Sequence, residues 1–109
     1  MKKIFISQPM RDKTDEEILI ERQKIIETIK NDFREETIIL DSFFNFESFP
    51  DEPERCNHAL FYLGKALEIL CQADVAYFAS GWEDARGCQI ENECAKAYGI
   101  DCIIMEGEM

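Results

Sequence analysis

Glu91 is the residue of this chain whose type and position most suggest chemistry. Residues 87–98 are predicted to form a helix. At roughly 100° per residue, Ile90, Cys94, Ala97 and Tyr98 share one side of it, with Gly87 one turn back. Glu91 falls within that apolar stripe, while Gln89, Asn92, Glu93 and Lys96 take the opposite face. An ionised carboxylate turned toward a core is costly unless it is paired, hydrogen-bonded or lining a cavity. Conflicts of this kind between pattern and chemistry are typical of functional sites. Two plainer readings compete: Glu91 complements the helix dipole, or it pairs with Arg86 or Arg11.

Other reactive and binding groups are expected on the same rim. In open α/β sheets ligands bind outside the carboxyl ends of the strands. Those ends are predicted at Ser7, Gln8, Pro9, Met10 and Arg11, at Asp41 and Ser42, and at Ser80, Gly81 and Trp82. The start of the 87–98 helix emerges on this edge with Arg86, Gly87 and Cys88. Gly87 permits close backbone approach, and free N–H groups at a helix start favour an anion. Arg11 and Arg86 suit a phosphate or carboxylate, and Trp82 and Met10 offer surfaces for a flat base. A carboxylate in such a crevice can act as a nucleophile at an anomeric carbon, as in retaining glycosidases.

The elements that would position these residues can be read from periodicity and punctuation. Residues 3–7 form a short β-type run that Pro9 stops. Thr14, Asp15, Glu16 and Glu17 make a capping-box signature. The helix they open carries Ile18, Ile25, Ile29 and Phe33 on one face, with Arg22 and Lys30 among its polar positions. Residues 37–40 are a wholly apolar strand, expected in the sheet interior. Residues 59–70 form a helix presenting Leu60, Leu63, Leu67 and Leu70; residues 74–79 form a third strand. Gly99 is suited to end the 87–98 helix, and residues 102–105 complete the set. Strands alternating with helices imply right-handed βαβ units. The expected fold is α/β: a doubly wound, mostly parallel four-stranded sheet of order 2-1-3-4, flavodoxin-like or Rossmann-like. Residues 1–109 are expected to form a single domain.

Residues 41–58 are irregular and hold Phe43, Phe44, Phe46 and Phe49 among acidic residues and prolines. They are expected to cover a pocket, to dock on another subunit or simply to close one end of the core. The net charge of -11 disfavours binding to nucleic-acid polymers, because the chain repels phosphate backbones at long range. No apolar run approaches the ~20 residues of a membrane helix, and the basic, briefly apolar start is too short for a secretory signal. A cytoplasmic protein with no membrane association is expected. The 5 cysteines and 1 histidine include no C-x-x-C spacing, so no metal site and no cofactor are expected. The cysteines read as buried, reduced thiols. Cys88 is the exception, since a helix N-terminus favours a thiolate.

Gly87-Cys88-Gln89-Ile90-Glu91-Asn92-Glu93-Cys94-Ala95 resembles the G-[ST]-x-x-E-x-G-x-A signature of nucleoside 2-deoxyribosyltransferases and related nucleotide N-glycosidases. Ile4-Phe5-Ile6-Ser7-Gln8-Pro9-Met10 is similar to the opening strand and G-P-[FY] turn of that family. Ala73-Asp74-Val75-Ala76-Tyr77-Phe78 is similar to a further strand. The nearest resemblance is to small deoxyribosyltransferase-like members, many of them from phage and mobile DNA. It implies a nucleoside or nucleotide ligand and Glu91 as the nucleophile that captures C1′. Asp84 and Asp41 are candidates to handle the leaving base's proton. The chain departs from the signature at Cys88, where the family has serine or threonine, and at Glu93, where it has glycine. Ala85 stands where the family often has aspartate, and Arg86 on this rim suits a 5′-phosphate. Family members commonly complete each site from a neighbouring subunit, so a homo-oligomer is expected, although residues 106–109 read as a free tail. The alternatives are a non-catalytic protein that binds or sequesters a nucleotide or nucleotide-derived signal, and a regulatory subunit docking through its phenylalanine-rich loop.

Overall fold

A computed structural model describes residues 1–33, 35–40 and 57–105. Four strands, β1 (Lys2–Ser7), β2 (Thr37–Ile39), β3 (Val75–Phe78) and β4 (Asp101–Ile104), alternate with three helices, α1 (Asp15–Asp32), α2 (His58–Leu70) and α3 (Arg86–Ala97). A 3₁₀ turn, Trp82–Asp84, precedes α3. The strands form one parallel sheet in the order β2-β1-β3-β4, as the alternation of elements implied. The fold is therefore a small Rossmann-like α/β domain.

Strand alternation divides the interior into two cores, one on each face of the sheet. Ile4 and Ile6 of β1, with Val75, Tyr77 and Ala79, meet Ile25 and Ile29 of α1. Phe5, Ala76 and Phe78 face the other way, onto Ala66 and Leu70 of α2 and Ala95 of α3. The central strands β1 and β3 are thus buried on both sides, and whatever follows them at their carboxyl ends starts from a dry interior.

The helices begin and end where their signals say. Thr14 caps α1: its Oγ1 accepts the Glu17 N–H at 3.1 Å, and the Glu17 carboxylate accepts the Thr14 N–H at 2.8 Å. Asn57 caps α2 through the Leu60 N–H at 3.0 Å. Gly99, at φ 79°, closes α3 in a Schellman arrangement, with Ile100 N–H on Ala95 O and Gly99 N–H on Lys96 O.

Three expectations need correction. β2 is an edge strand, hydrogen-bonded to β1 alone among the described residues, and its Ile38 is exposed. An apolar run of three or four residues does not distinguish a central strand from an edge strand whose side chains lean on a helix. Arg22 is buried rather than solvated; its Nη2 donates to Leu40 O at 3.1 Å. Leu60 is exposed on α2, whose buried positions are Ala66 and Leu70. Among the described residues no helix is long and apolar enough to cross a membrane.

Candidate functional site

Ser7 is the last residue of β1 and shares the face of Phe5, so its side chain points toward α3. There its Oγ donates to Oε1 of Glu91 at 2.5 Å, the short separation expected of a hydroxyl on a carboxylate. Both partners are buried, Ser7 at 1% exposure and Glu91 at 8%. Burial pushes the Glu91 carboxyl up from 4.5 to about 7, against the Ser7 hydrogen bond, which pulls it down. Among the described residues no basic side chain contributes to this balance. Glu91 is a nearly dry carboxylate with a hydroxyl for company and no counter-charge.

Cys88, one turn earlier on α3, is buried beside the same serine. Burial raises its thiol from 9.0 to about 11; Ser7 lowers it, Glu91 raises it and Lys13 lowers it. This reverses the thiolate expectation. Loss of solvation and a neighbouring carboxylate outweigh the helix-terminus field, so Cys88 stays a neutral thiol at physiological pH. Of the other described cysteines, Cys71 is exposed rather than buried, and Cys94 and Cys102 are half-buried.

The buried arc of α3 runs through Cys88, Glu91, Asn92 and Ala95, rotated by roughly a third of a turn from the apolar stripe drawn on the sequence. Ala97 and Tyr98 lie outside it, Tyr98 with 84% of its surface exposed. Asn92, assigned to the polar face, is buried, and its Nδ2 has no hydrogen-bond partner. The helix packs against both the sheet and α2, so its inner arc follows those neighbours rather than the hydrophobicity of its last turn.

The remaining expected residues divide between the two loops at this edge. Gln8 turns to the α1 side, where Nε2 donates to Ile18 O at 2.9 Å and to Glu21 Oε1 at 3.0 Å. Lys13 grips the same carboxylate at 3.1 Å, across a tight turn in which Lys13 N–H meets Met10 O and Asp12 sits at φ 64°. Gln8 therefore braces the loop rather than facing Glu91. Pro9 and Met10 are half-buried and Arg11 is exposed. Gly81 takes φ 90°, and a Cβ there would lie 3.7 Å from Pro9 Cγ, so the two loops touch at this point. Ser80 is exposed. Trp82 packs on Phe78 with ring centroids 5.4 Å apart, and its Nε1 is buried without a partner. Asp84 and Arg86 are exposed, and Gly87 is half-buried. Asp41 lies outside the described residues, as do Phe43, Phe44, Phe46, Phe49 and residues 106–109.

Sequence reasoning missed Lys13 as a charge of this site and Asn92 as one of its walls. For Lys13 the available signal was its position six residues beyond Ser7, in the turn before the Thr14 cap. A shallow depression of about 270 Å³ lined by Lys30, Glu35, Glu36 and Thr37 lies at the amino end of β2 and gathers none of the expected site residues. Among the described residues no group of three or more His, Cys, Asp or Glu side chains is arranged to hold a metal ion.

Comparison with protein-family models, with curated proteins and with solved structures returned no match to this chain.

Proposed function

We propose that this chain cleaves or exchanges the N-glycosidic bond of a nucleoside or nucleotide, with Glu91 as the nucleophile. The observation that carries this reading is the buried Glu91 carboxylate, held by Ser7 at 2.5 Å without a compensating cation among the described residues. A carboxylate so placed binds most strongly to whatever brings positive charge to it. The sugar does so in the transition state, when the C1′–N bond stretches and C1′ takes on oxocarbenium character. Glu91 then bonds to C1′ as the base departs with the bonding electrons and acquires a proton. Water or a second base attacks C1′ in turn and frees the carboxylate. Asp84 and Asp41 remain the candidate proton donors, and Arg11, Arg86 and Lys13 are the cations on hand for a substrate phosphate. The resemblance of residues 87–95 to the deoxyribosyltransferase signature supports the same reading, and with it a homo-oligomer in which a neighbour completes the crevice.

The test is incubation with a panel of deoxynucleosides, deoxynucleotides and NAD, with released base scored by chromatography. Wild type is expected to release base from at least one of them and Glu91→Gln from none. Full turnover by Glu91→Gln would overturn the mechanism.

A second reading is favoured by the Glu91 carboxyl titrating near 7. About half of the molecules then carry a neutral acid at neutral pH, able to donate a hydrogen bond to a ligand oxygen. In that case the crevice captures a nucleotide without turnover. Intact ligand recovered from purified protein, with no base released on long incubation, would favour capture over catalysis.

A further inference from the structure

Ser7 is unusual among the polar residues of this edge in having no freedom. Its backbone lies in register with Phe78 of β3, and its carbonyl accepts the Ala79 N–H at 2.9 Å. The next residue, Gln8, is tied to α1 by both protons of its amide. The hydroxyl therefore projects from a fixed point, in a position with 1% exposure. A serine hydroxyl has one proton to give, and here it goes to Oε1 of Glu91 at 2.5 Å.

We propose that Ser7 is a positioning residue for Glu91, committing its single proton to Oε1 so that the carboxylate is held in one rotation with Oε2 presented to the ligand. The role deepens the reading of Glu91 as the reacting group and rests on it. Two consequences follow from the geometry. The attacking oxygen is Oε2, since Oε1 has a lone pair engaged. The hydrogen bond also favours the ionised acid, which is the nucleophilic form, in a place where burial favours the neutral one. The groups facing Glu91 leave Ser7 this task alone: Cys88 of α3 is a neutral thiol, and Lys13 of the β1–α1 turn bears on Cys88 rather than on Glu91.

The experiment follows the Glu91 side-chain carboxyl by carbon-13 NMR across pH, with the resonance assigned by its loss in Glu91→Gln. Ser7→Ala is expected to raise the Glu91 titration by about one to two pH units, a 10- to 100-fold gain in proton affinity on the scale of a hydrogen bond to a charged group. Ser7→Thr, which restores the hydroxyl, is expected to titrate as wild type. An unchanged midpoint in folded Ser7→Ala overturns the proposal, as does Ser7→Thr titrating with the alanine variant. A residue needed only for packing would lower activity without moving this midpoint. If Ser7→Ala does not fold, Ser7→Cys, similar in size but a weak donor, carries the same comparison. The titration requires no turnover. If it moves while no substrate releases base, the positioning role stands and the N-glycosidic reading falls.

Discussion

Replacing Glu91 by glutamine is expected to stabilise the protein at neutral and alkaline pH, the reverse of what removing a buried hydrogen-bonded side chain usually does. The carboxyl is raised from 4.5 to about 7 in the folded chain, so between those values the folded state binds more protons than the unfolded one. Stability contributed by this group is therefore complete below 4.5 and is lost as pH rises through about 7. At roughly 1.4 kcal/mol per pH unit, the displacement corresponds to a penalty of about 3 kcal/mol once the group is forced to ionise. Glutamine has the same shape, can accept the Ser7 proton and never ionises. Leaving its amide N–H₂ poorly paired costs about 1 kcal/mol, a sum that does not change with pH. Denaturant unfolding of both proteins from about pH 4.5 to about pH 8 reads the difference directly. The gap is expected to widen by about 3 kcal/mol across that interval, in favour of the variant. A gap that stays constant with pH would refute the reasoning, because it would mean that Glu91 ionises in the fold as readily as in water.

Two further outcomes test other parts of the structure. Native protein treated with iodoacetamide at about pH 8 is expected to label at exposed Cys71 while buried Cys88, its thiol near 11, is spared; equal labelling by mass spectrometry would show that the thiol is neither buried nor neutral. Thr14→Ala removes the acceptor for the Glu17 N–H and is expected to cost about 1 kcal/mol in a denaturant titration, with no change in the Glu91 midpoint.

What the sequence made legible was set by the range of the interactions involved. The capping box at Thr14, the Gly99 stop and the strand periods of β1 and β3 depend on residues within a few positions of one another, and their agreement left one plausible winding of the sheet. Burial of Glu91 was legible because a carboxylate near an apolar stripe is a local contradiction. Its partner was not, since Ser7 is 84 positions away and nothing in the pattern of β1 marks the last residue as a donor. The phase of α3 was misread because Ala97 and Tyr98 are apolar yet sit where the helix leaves the core, while Asn92 is polar yet faces into it. Cys88 was misread because helix-end electrostatics can be seen in a sequence and desolvation cannot. β2 looked central because three apolar residues carry no record of how many neighbours they have.

The position of Glu91 follows from the same division of the core that makes the fold. Residues of β1 alternate between two sealed layers, and Ser7 is where the layer shared with α3 reaches the carboxyl edge of the sheet. Beyond it the chain turns away through Gln8, braced on α1, so the serine and the carboxylate are left at the boundary between packed interior and loops. A charge set further inside would be neutralised outright, and one set further out would be screened by water and bind nothing tightly. At the boundary the carboxyl is balanced near neutrality, ionised often enough to attack and dry enough that its field is strong. The α3 start adds no acidic side chain in its first turn, so no second carboxylate there competes for an approaching positive centre. A carboxylate destabilised in this way is relieved only when positive charge arrives at Oε2, and the distribution of residues around it leaves that charge to come from outside the chain.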